Sequence, residues 1–485
     1  MLNQYNQVIL HRLLILSSYI NSVISREARH LYPNALISSS QRQTAHNSKF
    51  ITHNSKNPSL QTMPNLSKRQ FLKTFTGISA VSMLDIENLL AKSGQIPSKI
   101  LAEDETFWQQ IRTAYNFTHD FIHLENGYYS LASNEVLEAY IQHIRDVNKV
   151  SSYYMRTRQF DDKLVSRKQL AELLGCSHEE LIITRNTTES LDTIIAGFSW
   201  KEGDEAVMAE QDYGAMLDMF KLQARRYGIV NKMVSVPNHP KSDEEIVEVY
   251  EKAITSKTRL LMICHLINIT GQILPVKKIV EMAHRHGVEV MVDGAHAFGH
   301  LDFKIEELGG CDYYGSSLHK WLGNPLGAGI LYVRKNKIKQ IWQLYGDMGF
   351  ADDDIRKLNH TGTIPVATDL AIQDAIKFHQ KIGIQRKEAR LRFLQKYWTD
   401  KVRDNPNIIL NTPKEAFRCC GIANVGVKGK TPSELSKLLF EKYKIFTVAI
   451  ANPKADVMGV RVTPHLYTTT AELDAFVKAL NEIAG

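Results

Sequence analysis

The stretch "TRLLMICHLINITGQILPVKKIVEMAHRHGVEVMVDGAHAFGH", residues 258 to 300, decides the fold. It opens on an apolar, strand-like run, passes a loop punctuated by Gly271 and Pro275, and continues through an amphipathic helical pattern. A second apolar strand follows at Val288 to Val292 and ends on Asp293. Strand, crossover helix, strand is the unit of a parallel sheet. The same alternation recurs upstream in "EELIITRNTTESLDTIIAGF" (179–198) and supplies a further strand in "GAGILYVRK" (327–335). The expected fold class is therefore α/β, with a mostly parallel sheet covered by helices on both faces. Ligands of such sheets bind where loops leave the carboxyl ends of the strands.

Outward from this core the character changes. After about Pro365 the chain turns to long helical segments, "DLAIQDAIKFHQKIGIQRKEARLRFLQKYW", and to shorter strands such as "GIANVGV" and "VMGVRVT". This predicts a smaller α+β domain over 366–485 beside a large domain over 151–365, with 100–150 as an N-terminal segment associated with the small domain. A chain of 485 residues, 44% hydrophobic and 23% charged, has ordinary globular composition and is long enough for two domains.

The net charge of +7 is unevenly placed. Residues 1–62 carry a balance of +5 and residues 63–99 one of +3, which leaves the body at −1. The body thus has no basic excess for nucleic acid. Residues 1–62 read as a disordered or misassigned leader ahead of Met63. The segment 63–99 contains "SKRQFLKTF", which reads either as part of an amphipathic helix or as a twin-arginine-like export signal with Lys68 in place of the first arginine. A functional signal implies a periplasmic protein, its absence a cytoplasmic one. No membrane span is expected, because the apolar run "VILHRLLILSSYI" is short and carries Arg12. The five cysteines, Cys176, Cys264, Cys311, Cys419 and Cys420, have neither metal-site nor disulfide-framework spacing.

Several residues could carry chemistry. Lys320 in "YYGSSLHKWLG" (313–323) sits among apolar and small neighbours. It is either a surface lysine or an amine with a lowered pKa, able to form a Schiff base with a carbonyl. Asp293 ends a buried strand, as a turn residue or as an acid facing a protonated ring nitrogen. In "RNTTES" (185–190), Thr187 and Thr188 open a helix, as a plain cap or as phosphate donors. Ser317 is a further candidate phosphate donor. Trp321 is left between core packing and cofactor contact.

Taken in order, "LENGYYSLASNEV", "RNTTES", "EQDYGA", "HLIN", "VDGAHA", "SSLHKW" and "RVTPHLY" resemble the class V aminotransferase family of enzymes dependent on pyridoxal 5'-phosphate (PLP), in particular its isopenicillin N epimerase-like branch. The resemblance covers about residues 116 to 482 and implies the PLP-dependent transferase fold. It implies that Lys320 is the Schiff-base lysine, that Asp293 pairs the ring nitrogen, and that Tyr213 stacks on the ring. Asn268 would hydrogen-bond the phenolic oxygen, with His296 close to the same ring and catalytic with Lys320 and Asp293. Thr187, Thr188, Ser317 and His319 match phosphate positions. Arg461 matches the arginine that binds the substrate carboxylate, with Asn126 of the opening motif beside the substrate. Thr363 in "HTGTIP" matches a threonine given to the partner's phosphate, which implies a homodimer with sites at the subunit interface. As alternatives, Tyr213 is a packed core tyrosine, Asn268 a turn former and Arg461 half of a surface ion pair.

The implied activity is transamination or epimerisation of an amino acid, a small-molecule substrate, at Cα through a stabilised carbanion. The alternatives are a β-eliminating lyase and a non-catalytic PLP-fold binding protein. Family desulfurases carry a cysteine on a loop shortly before the carboxylate-binding arginine. The corresponding stretch here, "YKIFTVAIANPKADVMGVRV" (443–462), has none.

Overall fold

A computed structural model describes residues 86–485. The leader 1–62 and the export-like stretch at 67–75 lie outside the described residues. A short strand β1 (Ile122–His123) precedes the main sheet, which comprises β2 (Leu181–Thr184), β3 (Glu205–Ala209), β4 (Val230–Val234), β5 (Thr258–Cys264), β6 (Glu289–Asp293), β7 (Tyr313–Ser317) and β8 (Gly329–Val333). Their spatial order is β2-β8-β7-β6-β5-β3-β4. All neighbours are parallel except those of β8, which runs antiparallel to both β2 and β7.

The near-continuous apolar strands follow from burial on both faces. Along β5, Leu261 and Ile263 point into one core, which also takes Val290, Val292 and Tyr314. Leu260 and Met262 point into the core on the opposite face, with Met291 and Tyr313. The crossover helix Val276–Arg285 buries Val276, Ile279, Val280 and Ala283, an i, i+3, i+4, i+7 stripe, and Gly287 at φ +73° lets the chain turn into β6.

A second sheet has the order β12-β13-β10-β9, with β9 (Ile408–Leu410), β10 (Ala423–Val427), β12 (Val448–Asn452) and β13 (Val457–Val462), all antiparallel. Between them, β11 (Ile445–Phe446) pairs in parallel with β1. This sheet has its own core, with Trp398, Val425, Val460 and Phe476. The two cores do not divide at residue 366. Helix Val366–Ile382 contributes Ile372, Ala375 and Ile376 to the main-sheet core, because its apolar stripe lies against helices Asn134–Val150 and Gln159–Leu174. The segment 100–150 is likewise shared: Leu124 belongs to the second core, whereas Phe107, Trp108, Ile111 and Val136 belong to the first.

One close approach fixes the end of β6. A Cβ on Gly294 would lie 2.0 Å from the Tyr314 ring, and the peptide is held by Gly294 N–H donating to the Gly315 carbonyl (2.8 Å) and by Ser316 Oγ donating to the Gly294 carbonyl (2.8 Å). Gly294→Ala is expected to lower stability by about 1–3 kcal/mol, the usual cost of overpacking a core, and to disturb Asp293. Chemical denaturation of the purified variant measures the loss, and an unchanged midpoint contradicts it.

Candidate active site

The carboxyl ends of the central strands converge on Lys320. β7 ends at Ser317, and the turn that follows places Lys320 with Nζ 3.0 Å from His296 Nε2. The turn is tied down by Ser130, whose Oγ donates to the Lys320 carbonyl and whose N–H donates to the His319 carbonyl (3.2 Å). Burial lowers the Lys320 amine to about 8; the charge of Asp293 opposes the shift and that of Arg461 adds to it. Lys320 is only partly exposed and its amine meets His296, unlike a freely solvated surface lysine.

Asp293 ends β6 and is buried, and one oxygen accepts the Ala295 N–H (2.9 Å). Burial raises its pKa, and a cation facing it would keep it ionised. Cys264 ends β5 directly opposite Asp293 and donates its S–H to Asp212 (3.2 Å). Nothing in the sequence alone marked Cys264 or Asp212 as neighbours of the site. Asp212 also accepts the Ala209 N–H (2.7 Å) and is pushed up to about 7 by burial.

The candidate phosphate residues meet across 130 positions of sequence. Thr187 donates its N–H to Ser317 Oγ (2.9 Å), and the two hydroxyls lie 2.6 Å apart at the N-terminus of helix Thr187–Gly197. Asn186 supplies the cap by accepting the Glu189 N–H, so Thr187 and Thr188 are not the cap residues. The Thr188 N–H, in the first turn, has no acceptor inside the helix. Gly329 permits the approach: a Cβ there would lie 2.7 Å from the Asn186 Cα.

Arg461, on β13, reaches from the second sheet to the loop after β5, donating to the Asn268 carbonyl (3.4 Å). Its main partner was not foreseen. Glu125 takes the guanidinium as a two-pronged fork, at 2.5 and 3.1 Å, and both side chains are buried. The residues are 336 positions apart, and no local spacing signals the pair. Asn126 lies next to it, but its amide is engaged within the fold, donating to the Thr463 carbonyl (2.8 Å) and accepting from the Tyr467 hydroxyl. Tyr213 is about half exposed and precedes helix Gly214–Tyr227 at the carboxyl end of β3. Thr363 is exposed, and no hydrogen bond among the described residues joins it to the other site residues.

Two atoms support the fit of a phosphorylated ring compound. Asn268 Oδ1 and His319 Nδ1 are buried without hydrogen-bond partners, an uncommon and costly condition unless a ligand completes them. Burial lowers the His319 ring to about 4. Together with the Thr187–Ser317 cradle and the single hydrogen bond at Asp293, the residues present suit PLP: an amine, an acid, an open amide and an anion-binding helix N-terminus. No group of His, Cys, Asp and Glu among the described residues could hold a metal.

The family model for class V aminotransferases matches residues 126–476. The chain belongs to the class V aminotransferase family. An isopenicillin N epimerase of Streptomyces clavuligerus is 27% identical over 66% of this chain and 84% of its own length. A probable cysteine desulfurase of Halalkalibacterium halodurans is 28% identical over 63% of this chain and 78% of its own. Among solved structures, an apo cysteine desulfurase from Thermococcus onnurineus NA1 shares the fold with a TM-score of 0.68, at 22% identity over 77% of this chain and 97% of that one. The class V family thus holds more than one reaction, and its PLP cofactor agrees with the donor set around Lys320.

The titration of Lys320 is directly measurable. Its capture by PLP and borohydride, quantified by peptide mass spectrometry, is expected to rise with pH about a midpoint near 8, since the ammonium dominates below and the amine above. Lys320→Ala is expected to give no trapped peptide. A midpoint above about 10, the range of an ordinary lysine, contradicts the assignment.

Proposed function

We propose that this protein is a PLP-dependent enzyme acting at the Cα of an amino acid, as an epimerase or aminotransferase. The observation that carries the proposal is the Lys320 amine at the carboxyl end of the sheet, 3.0 Å from His296 Nε2 and within reach of the charges of Asp293 and Arg461. Bound at Lys320, PLP would supply an electron sink for the charge left when a Cα bond is broken.

The protein residues divide the remaining work. Arg461 would hold the substrate carboxylate, with its planar fork suited to two parallel hydrogen bonds. Glu125 already occupies that fork, so an incoming carboxylate must displace or share it. Asp293 would keep the ring nitrogen charged, and Asn268 and His296 would fix the ring's orientation. Thr187, Thr188, Ser317 and His319 would anchor the phosphate. Lys320, released as an amine near neutrality, is the general base for the Cα proton, and the face to which it returns the proton decides between exchange and inversion.

Persulfide chemistry is disfavoured by the cysteines. It requires a thiolate able to attack, and Cys264, which ends β5 opposite Asp293, is buried and donates a hydrogen bond to Asp212, with its pKa held well above the ordinary thiol range. A lyase that needs no cysteine is the second reading. We further propose a homodimer in which Thr363, exposed on its own subunit, meets the partner's phosphate site.

Exchange of the Cα proton for deuterium, followed by mass spectrometry on a panel of L- and D-amino acids with the PLP-loaded protein, tests the proposal. Exchange with inversion indicates epimerisation, keto acid formation transamination, and loss of a β-substituent the lyase. Arg461→Lys is expected to reduce kcat/KM by about 10²-fold or more through loss of the fork, and Lys320→Ala to abolish exchange. Glu125→Gln is expected to lower KM several-fold by removing the competing carboxylate, while reducing stability because Arg461 loses its buried partner. No exchange with any amino acid by a fully loaded protein would leave the non-catalytic reading.

A further inference from the structure

Trp321, directly after Lys320, is completely buried, which packing alone could account for. Its environment is more specific than packing requires. The indole stacks on His300 at 3.7 Å and 24° and lies parallel to His465 at 5.6 Å and 20°. Its own carbonyl accepts a hydrogen bond from Lys387. His300 is in turn fixed, since its Nδ1 meets the His296 carbonyl at 2.8 Å while its Nε2 accepts the Gly421 N–H at 2.9 Å. The indole plane is thereby held in one orientation, with its N–H directed to His296 Nδ1 at 3.3 Å.

The consequence follows from proton counting. An indole nitrogen only donates, so His296 Nδ1 must be the acceptor and carries no proton. A neutral imidazole then has its proton on Nε2, the atom 3.0 Å from Lys320 Nζ. An ammonium at Lys320 would also only donate, and two donors would face each other. The hydrogen bond is satisfied when Nε2–H donates to the lone pair of a neutral amine. We propose that Trp321 is a positioning residue that locks His296 in the Nε2–H tautomer and thereby holds Lys320 as the free amine that attacks a carbonyl. The proposal rests on the reading of Lys320 as the reactive lysine, but it concerns the amine itself.

The surrounding charges do not accomplish this alone. Burial disfavours the Lys320 ammonium most and the charge of Arg461 adds to it, whereas the charges of Asp293 and Glu125 favour the ammonium. Around His296, Lys320, Arg461, His300 and His319 all disfavour an imidazolium, which keeps the ring neutral and the tautomer decisive. Burial, with the charge of Lys387 adding to it, likewise disfavours the imidazolium forms of His300 and His465 that flank the indole.

The test labels the apoprotein with trace acetic anhydride across pH and measures acylation of Lys320 by peptide mass spectrometry, with no cofactor or substrate present. Trp321→Phe keeps an aromatic ring but removes the N–H. It frees His296 to take the Nδ1–H tautomer and accept from the ammonium, so the Lys320 midpoint is expected to rise by about one unit, a tenfold loss of amine at neutral pH. In a His296→Gln background, Trp321→Phe is expected to cause no further shift. An unchanged midpoint in the single variant, or an equal shift in both backgrounds, overturns the proposal. If Trp321→Phe does not fold, nitrogen NMR of 15N-histidine-labelled protein decides, with His296→Gln identifying the signal. A bare Nδ1 and a protonated Nε2 support the proposal, and a proton on Nδ1 overturns it. A shifted midpoint in a protein that takes up no PLP would sink the cofactor reading and leave this inference standing.

Discussion

An amine buried at the end of a parallel sheet is the constraint around which this molecule is arranged. Withdrawing an ammonium from water is costly, and a fold tolerates it by compensating the charge or by giving up the proton. Here both occur. Asp293 and Glu125 supply negative charge toward Lys320, yet burial still brings the amine down to about 8. The strands place these groups: β6 ends at Asp293, β7 ends three residues before Lys320, and both emerge on the same edge because they run parallel. An antiparallel arrangement of the two would put their ends on opposite edges.

Much of this was legible in the sequence because it is local or periodic. The apolar runs of β5 and β6 and the helix between them follow from spacing alone, and their order implies where Asp293 must lie. The meeting of Thr187 with Ser317 was legible only through the ordered motifs, since nothing near Thr187 names its partner. What the sequence hid depends on contacts across the whole chain. Glu125 and Arg461 are joined because β1 pairs with β11 and Glu125 bridges to Thr463. Helix Val366–Ile382 looked like the start of a second domain because the change from strand-rich to helical character occurs there. Its apolar stripe nevertheless belongs to the first core. Composition marks where element types change, not which face they find.

The second sheet shows how the proposed substrate site can depend on an element outside the main sheet. Arg461 lies on β13 between β12 and β10, a fully paired strand whose backbone cannot shift without breaking ladder hydrogen bonds on both sides. Its guanidinium crosses to the Asn268 carbonyl after β5. The same loop holds the buried, unpartnered Asn268 amide oxygen. A displacement of β13 would therefore be felt both at the proposed carboxylate fork and at the proposed ring contact, which couples substrate and cofactor recognition through one loop.

Glu125 gives that coupling a charge rule. A buried guanidinium without a counterion is strongly destabilising, so a site that must bind a carboxylate transiently needs an anion when empty. Glu125 fills the role in the resting protein, and its second duty, accepting the Tyr128 N–H at 2.9 Å, holds the motif "LENG" in place. If Arg461 takes a substrate carboxylate as proposed, the site would then contain two anions for one guanidinium. Two carboxylates competing for one guanidinium repel each other, which favours movement of Glu125 away from the fork. A substrate bearing a cationic group near its carboxylate would instead be stabilised by Glu125 where it stands. On the proposed reading of Arg461 as the carboxylate-binding residue, the group that keeps it stable in the empty site would also bear on which amino acids bind, through their charge.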